Sequence, residues 1–272
     1  MALLMTSPAP PRILSIAGSD SSGGAGIQAD IKTITMLGGY AMTAITAITA
    51  QNTVGVQGIV ALAPEIVAQQ IASCIGDIGV DAIKIGMLHD ATVIAAVADA
   101  LEAVTAPIVL DPVMIATSGA ALIAPDAVAA MRESLFPRAA LLTPNLPELA
   151  ALTGRPLAGK QDMIDAASDL AEATGAAVLA KGGHAGGERI VDVLFVPGAR
   201  AVAFDHARID TVHTHGTGCT LSSAIATLLG HGQPLEHAVR LGRQFVIRAI
   251  EAAPGFGAGH GPLGHQAVRS LG

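Results

Sequence analysis

Short apolar runs alternate with longer amphipathic segments along the whole chain. Short runs rich in Val and Ile between polar or Gly-rich turns predict strands, and apolar residues every three or four positions predict helices. The predicted strands are Ile13–Ala17, Ala41–Ala50, Ala82–Ile85, Ile108–Leu110, Ala140–Leu142 and Ala177–Ala180, with a hairpin of Ile190–Phe195 and Ala201–Phe204. The predicted helices are Ile27–Leu37, Pro64–Ile75, Ala91–Val104 (with Asp90 as N-cap), Ala127–Leu135, Met163–Thr174, Thr217–Leu229 and Glu236–Ala252.

This order of elements predicts an α/β fold, because repeated strand–turn–helix units build a mostly parallel, doubly wound sheet with helices on both faces. We expect a single domain over residues 13–272 and a flexible N-terminal arm over residues 1–12. Ligands of such sheets bind beyond the carboxyl ends of the strands. Several predicted strands end there in polar or Gly-rich loops, at residues 18–26, 51–52, 111–112, 143–148 and 181–184.

Composition excludes several classes of protein. The 272 residues are 51% hydrophobic and 14% charged, which excludes intrinsic disorder. The net charge of -7 argues against a general nucleic-acid surface. Residues 33–64 carry no charged side chain, but glycines and polar pairs interrupt them before the roughly 20 apolar residues of a membrane span. Two cysteines cannot build a disulfide framework, so we expect a reduced, cytoplasmic protein.

The loop GSDSSGGAG at residues 18–26 follows a predicted strand and precedes a predicted helix. It is not a Walker A loop, because Gly23 is followed by Gly24 rather than Lys, and its glycines do not fit GxGxxG. The missing GxGxxG disfavours a dinucleotide-binding oxidoreductase. Two interpretations stay open: a plain flexible turn, or a loop lining a small-molecule cavity in which Asp20 or Asp30 fixes a hydroxyl.

A second Gly-rich segment, HTHGTGCT at residues 213–220, opens a predicted helix. Its Gly-Thr-Gly turn predicts unpaired backbone N–H groups at the helix N-terminus, and these favour an anion. Cys219 falls in the first turn, where we expect its thiolate to be stabilised. A zinc site of His213, His215 and Cys219 is disfavoured because it lacks a fourth ligand.

Two further loops carry chemistry of phosphate sites. Asn145 and Glu148 follow a strand and share the first turn of a helix, where they suit either hydrated Mg²⁺ with its phosphates or a capping arrangement. Lys181 ends a strand before Gly182-Gly183, where it is either solvated or holds a nucleotide.

Together these segments closely resemble the bacterial hydroxymethylpyrimidine/phosphomethylpyrimidine kinase family of the ribokinase-like group. The resemblance runs over nearly the whole chain from Ile13, with the motifs in the family's order. Its motifs are AGSDSSGGAGIQADIKT (17–33), AITAQNTVGVQGI (47–59), KIGML (84–88), VLDPVMIATSG (109–119), LLTPNLPELAALTG (141–154), VLAKGGH (178–184) and HTHGTGCTLSSAIA (213–226).

The resemblance implies a ribokinase-like fold, dependence on ATP and Mg²⁺, and a homodimer. It implies phosphorylation of 4-amino-5-hydroxymethyl-2-methylpyrimidine and then of its monophosphate, in thiamine biosynthesis. Nucleic acids and membranes are not expected as partners.

The resemblance also assigns roles to residues of this chain. The catalytic residue is Cys219, and the anion hole is Gly216, Thr217 and Gly218. Substrate-binding positions are Gln51, Gly18, Asp30, Met87 and Val113; nucleotide-binding positions are Lys181 and Asn145; metal-binding positions are Glu148 and Asp111. The Gln51 assignment suits the chemistry, since an amide offers a donor and an acceptor to the ring nitrogen and exocyclic amine of an aminopyrimidine.

Two other functions stay open. A pyridoxal or pyridoxine kinase of the same group also acts on a small aromatic ring with a hydroxymethyl arm. A non-catalytic pyrimidine-binding sensor would use the same ring site. The AQNTVG segment favours the pyrimidine kinase over the first, and the intact GTGC turn argues against the second.

Overall fold

In a computed structural model, which describes residues 9–114, 125–184 and 186–268, one nine-stranded sheet forms the centre of the fold. The strands are β1 (Arg12–Asp20), β2 (Tyr40–Gln51), β3 (Val56–Ala61), β4 (Ala82–Ile85), β5 (Ile108–Leu110), β6 (Leu141–Leu142), β7 (Ala177–Ala180), β8 (Arg189–Phe195) and β9 (Val202–Ala207). Their order in the sheet is β3-β2-β1-β4-β5-β6-β7-β8-β9. The six strands from β2 to β7 in this order pair in parallel, and β3, β8 and β9 are antiparallel at the two edges. The predicted mostly parallel α/β fold is confirmed.

Helices cover both faces of the sheet. They are α1 (Gly26–Met36), α2 (Pro64–Asp77), α3 (Ala91–Ala100), α4 (Pro125–Ser134), α5 (Leu146–Thr153), α6 (Lys160–Thr174), α7 (Thr217–Gly230) and α8 (Leu235–Glu251). Helices α2 to α6 pack on one face, and α1, α7 and α8 on the other. Successive strand residues serve alternate cores: Ile13 faces α7 and α8, whereas Leu14 faces the opposite layer. Because both faces are covered, the central strands β5, β6 and β7 are continuously apolar rather than alternating.

The structure adds a strand that the sequence did not predict: β3 pairs with β2 as an antiparallel edge strand. The helix whose first turn was predicted at Asn145 and Glu148 is α5, which begins directly after Asn145. Asp90 caps α3 as predicted, accepting bonds from the N–H groups of Thr92 and Val93. The uncharged stretch of residues 33–64 becomes the end of α1, then β2 and β3. None of the described helices combines the length and the apolar character that spanning a lipid bilayer requires.

Both ends of the described chain are held against the rest of the fold. Most of the predicted N-terminal arm lies outside the described residues, and Arg12 already belongs to β1, where its guanidinium pairs with Asp81. The Gly-rich segment after Pro254 buries Leu263 and Val268 against Phe245 of α8. Its backbone also reaches the loop after β2. This loop and the loops after β1, β4, β5, β6 and β7 meet at one edge of the sheet.

Candidate active site

A cavity of about 760 Å³ lies at the carboxyl ends of the parallel strands. It is lined by all the predicted site residues except Asp30, namely Gly18, Gln51, Met87, Asp111, Val113, Asn145, Glu148, Lys181, Gly216, Thr217, Gly218 and Cys219. Gln51 and the start of α7 therefore face one space, although the chain separates them by more than 160 residues. The individual roles of these residues stay predictions.

The start of α7 depends on a glycine. Gly216 has φ +85 and precedes the helix, and a Cβ there would come within 1.9 Å of the Gly24 carbonyl oxygen. This contact joins the two Gly-rich segments of the sequence. Thr220 N–H donates to Gly216 O, so the first turn leaves three earlier N–H groups without partners inside the helix.

One of those three N–H groups departs from the prediction. Thr217 N–H donates to Thr214 O at 3.3 Å and is not unpaired. In the part of the chain that the structure describes, the N–H groups of Gly218 and Cys219 have no acceptor. These two groups, in a cavity at the positive end of a 14-residue helix, suit an anion.

The expectation that the Cys219 thiolate is stabilised is wrong. Burial raises the pKa of the thiol to about 11, and the carboxylates of Asp30 and Asp111 add to this increase. The Lys84 ammonium acts in the opposite direction but is outweighed. At neutral pH Cys219 is therefore a thiol, because desolvation of the sulfur outweighs the helix terminus.

Beneath Cys219 lies a buried ion pair between Lys84 and Asp30. Their side chains are fully buried, with Lys84 Nζ 2.8 Å from Asp30 Oδ2. The hydroxyls of Ser15 and Ser223 also donate to this carboxylate, each at 2.6 Å. The structure thus places Asp30 below the cavity, where it holds Lys84, instead of in the lining where a substrate hydroxyl would touch it.

Lys84 is a cavity residue to which the sequence assigned no role. Burial alone would lower its pKa, but the negative charge of Asp30 outweighs that effect and holds the pKa above its usual range. The signal was a single Lys inside the apolar strand AIKI, all of whose residues are buried. A buried lysine needs a carboxylate partner, so this pattern could have indicated a charged centre.

A second charged group lies where β5, β6 and β7 end. Lys181 Nζ is 2.7 Å from Asp111 Oδ1, which also accepts from Thr143 Oγ1. Burial opposes the charge on Lys181, but the carboxylates of Asp111 and Glu148 hold its pKa above the usual value. Burial raises the pKa of Glu148 to about 7, against the lowering effect of Lys181.

Asn145 and Glu148 form the capping arrangement that the sequence left open. The Asn145 side chain accepts from Glu148 N–H at 2.9 Å, and the Glu148 carboxylate accepts from Asn145 N–H at 2.8 Å. Both residues also line the cavity, so capping does not remove them from the site. The capping box fixes the Glu148 carboxylate at the cavity wall.

These carboxylates suit one kind of metal ion. Among the described residues, no cluster of three or more His, Cys, Asp or Glu side chains could hold a metal, and the disfavoured zinc site is not formed. Mg²⁺ needs fewer protein ligands, because it keeps several waters and binds one or two carboxylates together with phosphates. Asp111 and Glu148 are close enough for the Asp111 charge to raise the pKa of Glu148, and two such carboxylates would suit this ion.

The opposite end of the cavity holds a hydrogen-bonded group around Gln51. His215 Nε2 lies 2.9 Å from Asp20 Oδ2 and 3.3 Å from the Gln51 side-chain nitrogen. Burial opposes ionisation of Asp20, but hydrogen bonds from His215, Ser22 and Ala25 lower its pKa to about 2. Met87 and Val113 supply apolar wall beside this polar group.

Comparison with known proteins assigns the chain. Residues 20–264 match the family model described as phosphomethylpyrimidine kinase. The chain belongs to this family. It is 49% identical to the hydroxymethylpyrimidine/phosphomethylpyrimidine kinase of Rhizobium meliloti over 255 residues, which cover 93% of this chain and 96% of that protein.

A bifunctional thiamine biosynthesis protein of Geobacter sulfurreducens is 47% identical over 97% of the chain. The chain spans 55% of that protein's length. Among solved structures, the ADP complex of Bacillus subtilis pyridoxal kinase gives a TM-score of 0.87 at 36% identity, over 96% of this chain and 99% of that one. A phosphomethylpyrimidine kinase from Clostridium difficile gives 0.79 at 39% identity, over 88% and 99%.

For a chain of the phosphomethylpyrimidine kinase family, the cavity divides into two ends. The Gln51 end is mostly neutral apart from the Asp20–His215 pair, whereas the α7 end carries Lys84 and Lys181. A neutral ring suits the first end and a polyphosphate suits the second. Cys219 lies at the second end, in the first turn of α7.

The pKa of Cys219 makes its alkylation strongly pH-dependent. We expect iodoacetamide to modify Cys219 far more slowly at pH 7 than a small thiol, with the rate rising about tenfold per pH unit below the pKa of about 11. Peptide mapping by mass spectrometry measures this rate, with glutathione as the reference. Labelling at pH 7 as fast as that of glutathione would mean that the thiolate is stabilised after all.

The buried ion pair makes a prediction about stability. Lys84→Met should lower the free energy of unfolding by about 3–5 kcal/mol, since it leaves the Asp30 carboxylate buried without a counter-charge. Adding Asp30→Asn should recover much of the loss. Arg12→Met is the control, because it breaks a half-exposed pair with Asp81 and should cost much less. Urea denaturation compares the three variants with the unchanged protein, and equal losses for Lys84→Met and Arg12→Met would contradict the prediction.

Proposed function

We propose that this chain transfers the γ-phosphoryl group of ATP to the hydroxymethyl oxygen of 4-amino-5-hydroxymethyl-2-methylpyrimidine, and then to the resulting monophosphate. It thereby acts in thiamine biosynthesis, as its named relatives do. The observation that carries the proposal is the shared cavity of Gln51 and the α7 start, in a chain of this family. The proposal also includes assembly into a homodimer and location in the cytoplasm. Apolar Ile48 and Val60, paired on the exposed edge hairpin, offer a surface for a second copy.

Binding in this proposal separates ring and phosphates. Gln51 holds the ring by its donor and acceptor, with Met87 and Val113 as apolar walls. Lys181 and Asn145 lie on the nucleotide side. Phosphoryl transfer requires mostly positioning and stabilisation of negative charge, so a rigid cavity with fixed cations suits it.

At the helix start, the N–H groups of Gly218 and Cys219 donate to the transferred phosphoryl oxygens. The Lys84 ammonium lies below them and adds positive charge without direct exposure to solvent. Asp111 and Glu148 would hold Mg²⁺, which when bound neutralises phosphate charge. These groups are in place before the reaction, so little reorganisation accompanies transfer.

In its thiolate form, Cys219 accepts the proton of the substrate hydroxyl. With a pKa of about 11, roughly one molecule in ten thousand carries that thiolate at pH 7. This small thiolate fraction therefore limits the rate of the first phosphorylation, in which Cys219 is the base. In the second phosphorylation the attacking atom is a phosphate oxygen of the monophosphate. This oxygen is already anionic, so the step needs no strong base.

Pyridoxal phosphorylation is a second candidate, because the structural similarity to a pyridoxal kinase is high. We expect kcat/KM to be at least about tenfold greater for hydroxymethylpyrimidine than for pyridoxal, since Gln51 pairs with the aminopyrimidine edge. An assay coupled to ADP release compares hydroxymethylpyrimidine, its monophosphate and pyridoxal. A preference for pyridoxal would overturn the assignment of a pyrimidine substrate. Absence of turnover with all three substrates would overturn the proposed kinase activity.

Cys219→Ala should separate the two steps. The variant should lose at least about a hundredfold in the first phosphorylation and much less in the second. In the unchanged enzyme, the first-step rate should rise with pH between 7 and 9, as the thiolate fraction grows below the pKa of about 11. That rise should vanish in Cys219→Ala. Equal losses in both steps, measured with purified acceptors, would contradict this role of Cys219.

A further inference from the structure

The contact with Asp20 determines which ring nitrogen of His215 carries a hydrogen. Asp20 accepts hydrogen bonds from the backbone N–H groups of Ser22, Gly24 and Ala25 and from the Ser22 hydroxyl. A carboxylate with so many donors is ionised, and it can only accept. His215 Nε2, 2.9 Å from Asp20 Oδ2, must therefore be protonated and donate.

That proton decides how the Gln51 amide is turned. As the atoms stand, Gln51 Nε2 lies 3.3 Å from His215 Nε2, which sets one N–H donor against another. On the other side, the Gln51 amide oxygen lies 3.2 Å from Thr49 Oγ1, whose hydrogen already goes to Ser19 O at 2.8 Å. Half a turn about the last side-chain bond exchanges oxygen and nitrogen without changing the shape of the amide. The amide oxygen then accepts the longer branch of a three-centre bond from the same His215 Nε2–H that donates to Asp20, and the amide NH₂ donates to Thr49.

The two neighbours leave part of the amide unused. In this orientation Gln51 keeps one lone pair on its oxygen and one N–H on its nitrogen. An aminopyrimidine presents the matching groups, an exocyclic N–H beside a ring nitrogen acceptor. The corresponding oxo-pyrimidine presents the reverse order, an exocyclic oxygen beside a ring N–H, and would need the amide turned the other way.

We propose that His215 is a positioning residue that fixes the Gln51 amide and thereby selects aminopyrimidines over oxo-pyrimidines. The proposal rests on the proposed function, because it concerns the ring that Gln51 holds. Thr49 acts in the same direction from the opposite side of the amide. An unfixed amide could turn to suit either ring, so selectivity depends on these two neighbours and not on Gln51 alone.

The variants can be chosen so that the fold is preserved. His215→Leu removes the donor, while Asp20 keeps its other four donors from Ser22, Gly24 and Ala25. His215→Gln is the matched control, because its side-chain NH₂ can replace the Nε2–H. Thr49→Val is a second variant of nearly unchanged shape that removes the acceptor for the amide NH₂.

The experiment measures selectivity rather than activity alone. For each protein, kcat/KM is determined for 4-amino-5-hydroxymethyl-2-methylpyrimidine and for its 4-oxo counterpart, and calorimetry measures binding of both rings without ATP. His215→Leu and Thr49→Val should each lower the amino-to-oxo ratio by about tenfold or more, whereas His215→Gln should stay within about threefold of the unchanged protein. Thermal melting verifies that each variant is folded.

A double-mutant cycle tests whether His215 acts through Gln51. Gln51→Leu should lower kcat/KM for the aminopyrimidine by about a hundredfold, and adding His215→Leu should then change the ratio no further. Unchanged ratios in His215→Leu and Thr49→Val, equal losses for both rings, or additive effects in the cycle would overturn the proposal. If the unchanged protein turns over neither ring, the proposed function fails instead, and ring binding by calorimetry still tests the selection.

Discussion

The buried ion pair between Lys84 and Asp30 is the interaction on which the site most depends. It joins β4 to α1, and the hydroxyls of Ser15 and Ser223 extend it to β1 and α7. Removing two charges from water is costly, and the cost is offset here because each oxygen of the carboxylate has partners. The pair therefore defines how four elements meet beneath the cavity, and it leaves an ammonium close to Cys219.

Two close backbone approaches set the shape above this pair. Gly216 lies against Gly24, and Gly26 has φ +54 with its Cβ position only 2.3 Å from Gly18 O. No side chain fits at either place. The loop after β1 and the start of α7 are consequently packed backbone to backbone, which leaves the free N–H groups of α7 open on the cavity side. A substrate and a phosphate donor can meet there only because glycine allows that packing.

The sequence predicts the sheet and the convergence of the loops because apolar runs and turn residues are local signals. The edge strand β3 was missed, since Val56–Ala61 has no alternation and gains its structure from pairing with β2. Burial likewise cannot be inferred from a motif. Cys219 was expected as a stabilised thiolate and Asp30 as a cavity residue, yet the first is a desolvated thiol and the second lies below the lining. Each difference depends on which groups from distant parts of the chain cover the side chain, and the neighbouring residues in the sequence do not show this.

The last described segment has a consequence for how the ring site comes into existence. Thr53, in the loop just after β2, accepts bonds at its backbone oxygen and side chain from His260 and Gly259, and His215 N–H donates to Gly261 O. The two closures on Thr53 join positions about two hundred residues apart, and such long-range contacts form late because the entropy of closing the intervening chain must be overcome first. We expect the sheet to assemble before the Gln51 end of the cavity is walled in. A molecule that is almost fully folded could therefore still lack a competent place for the ring.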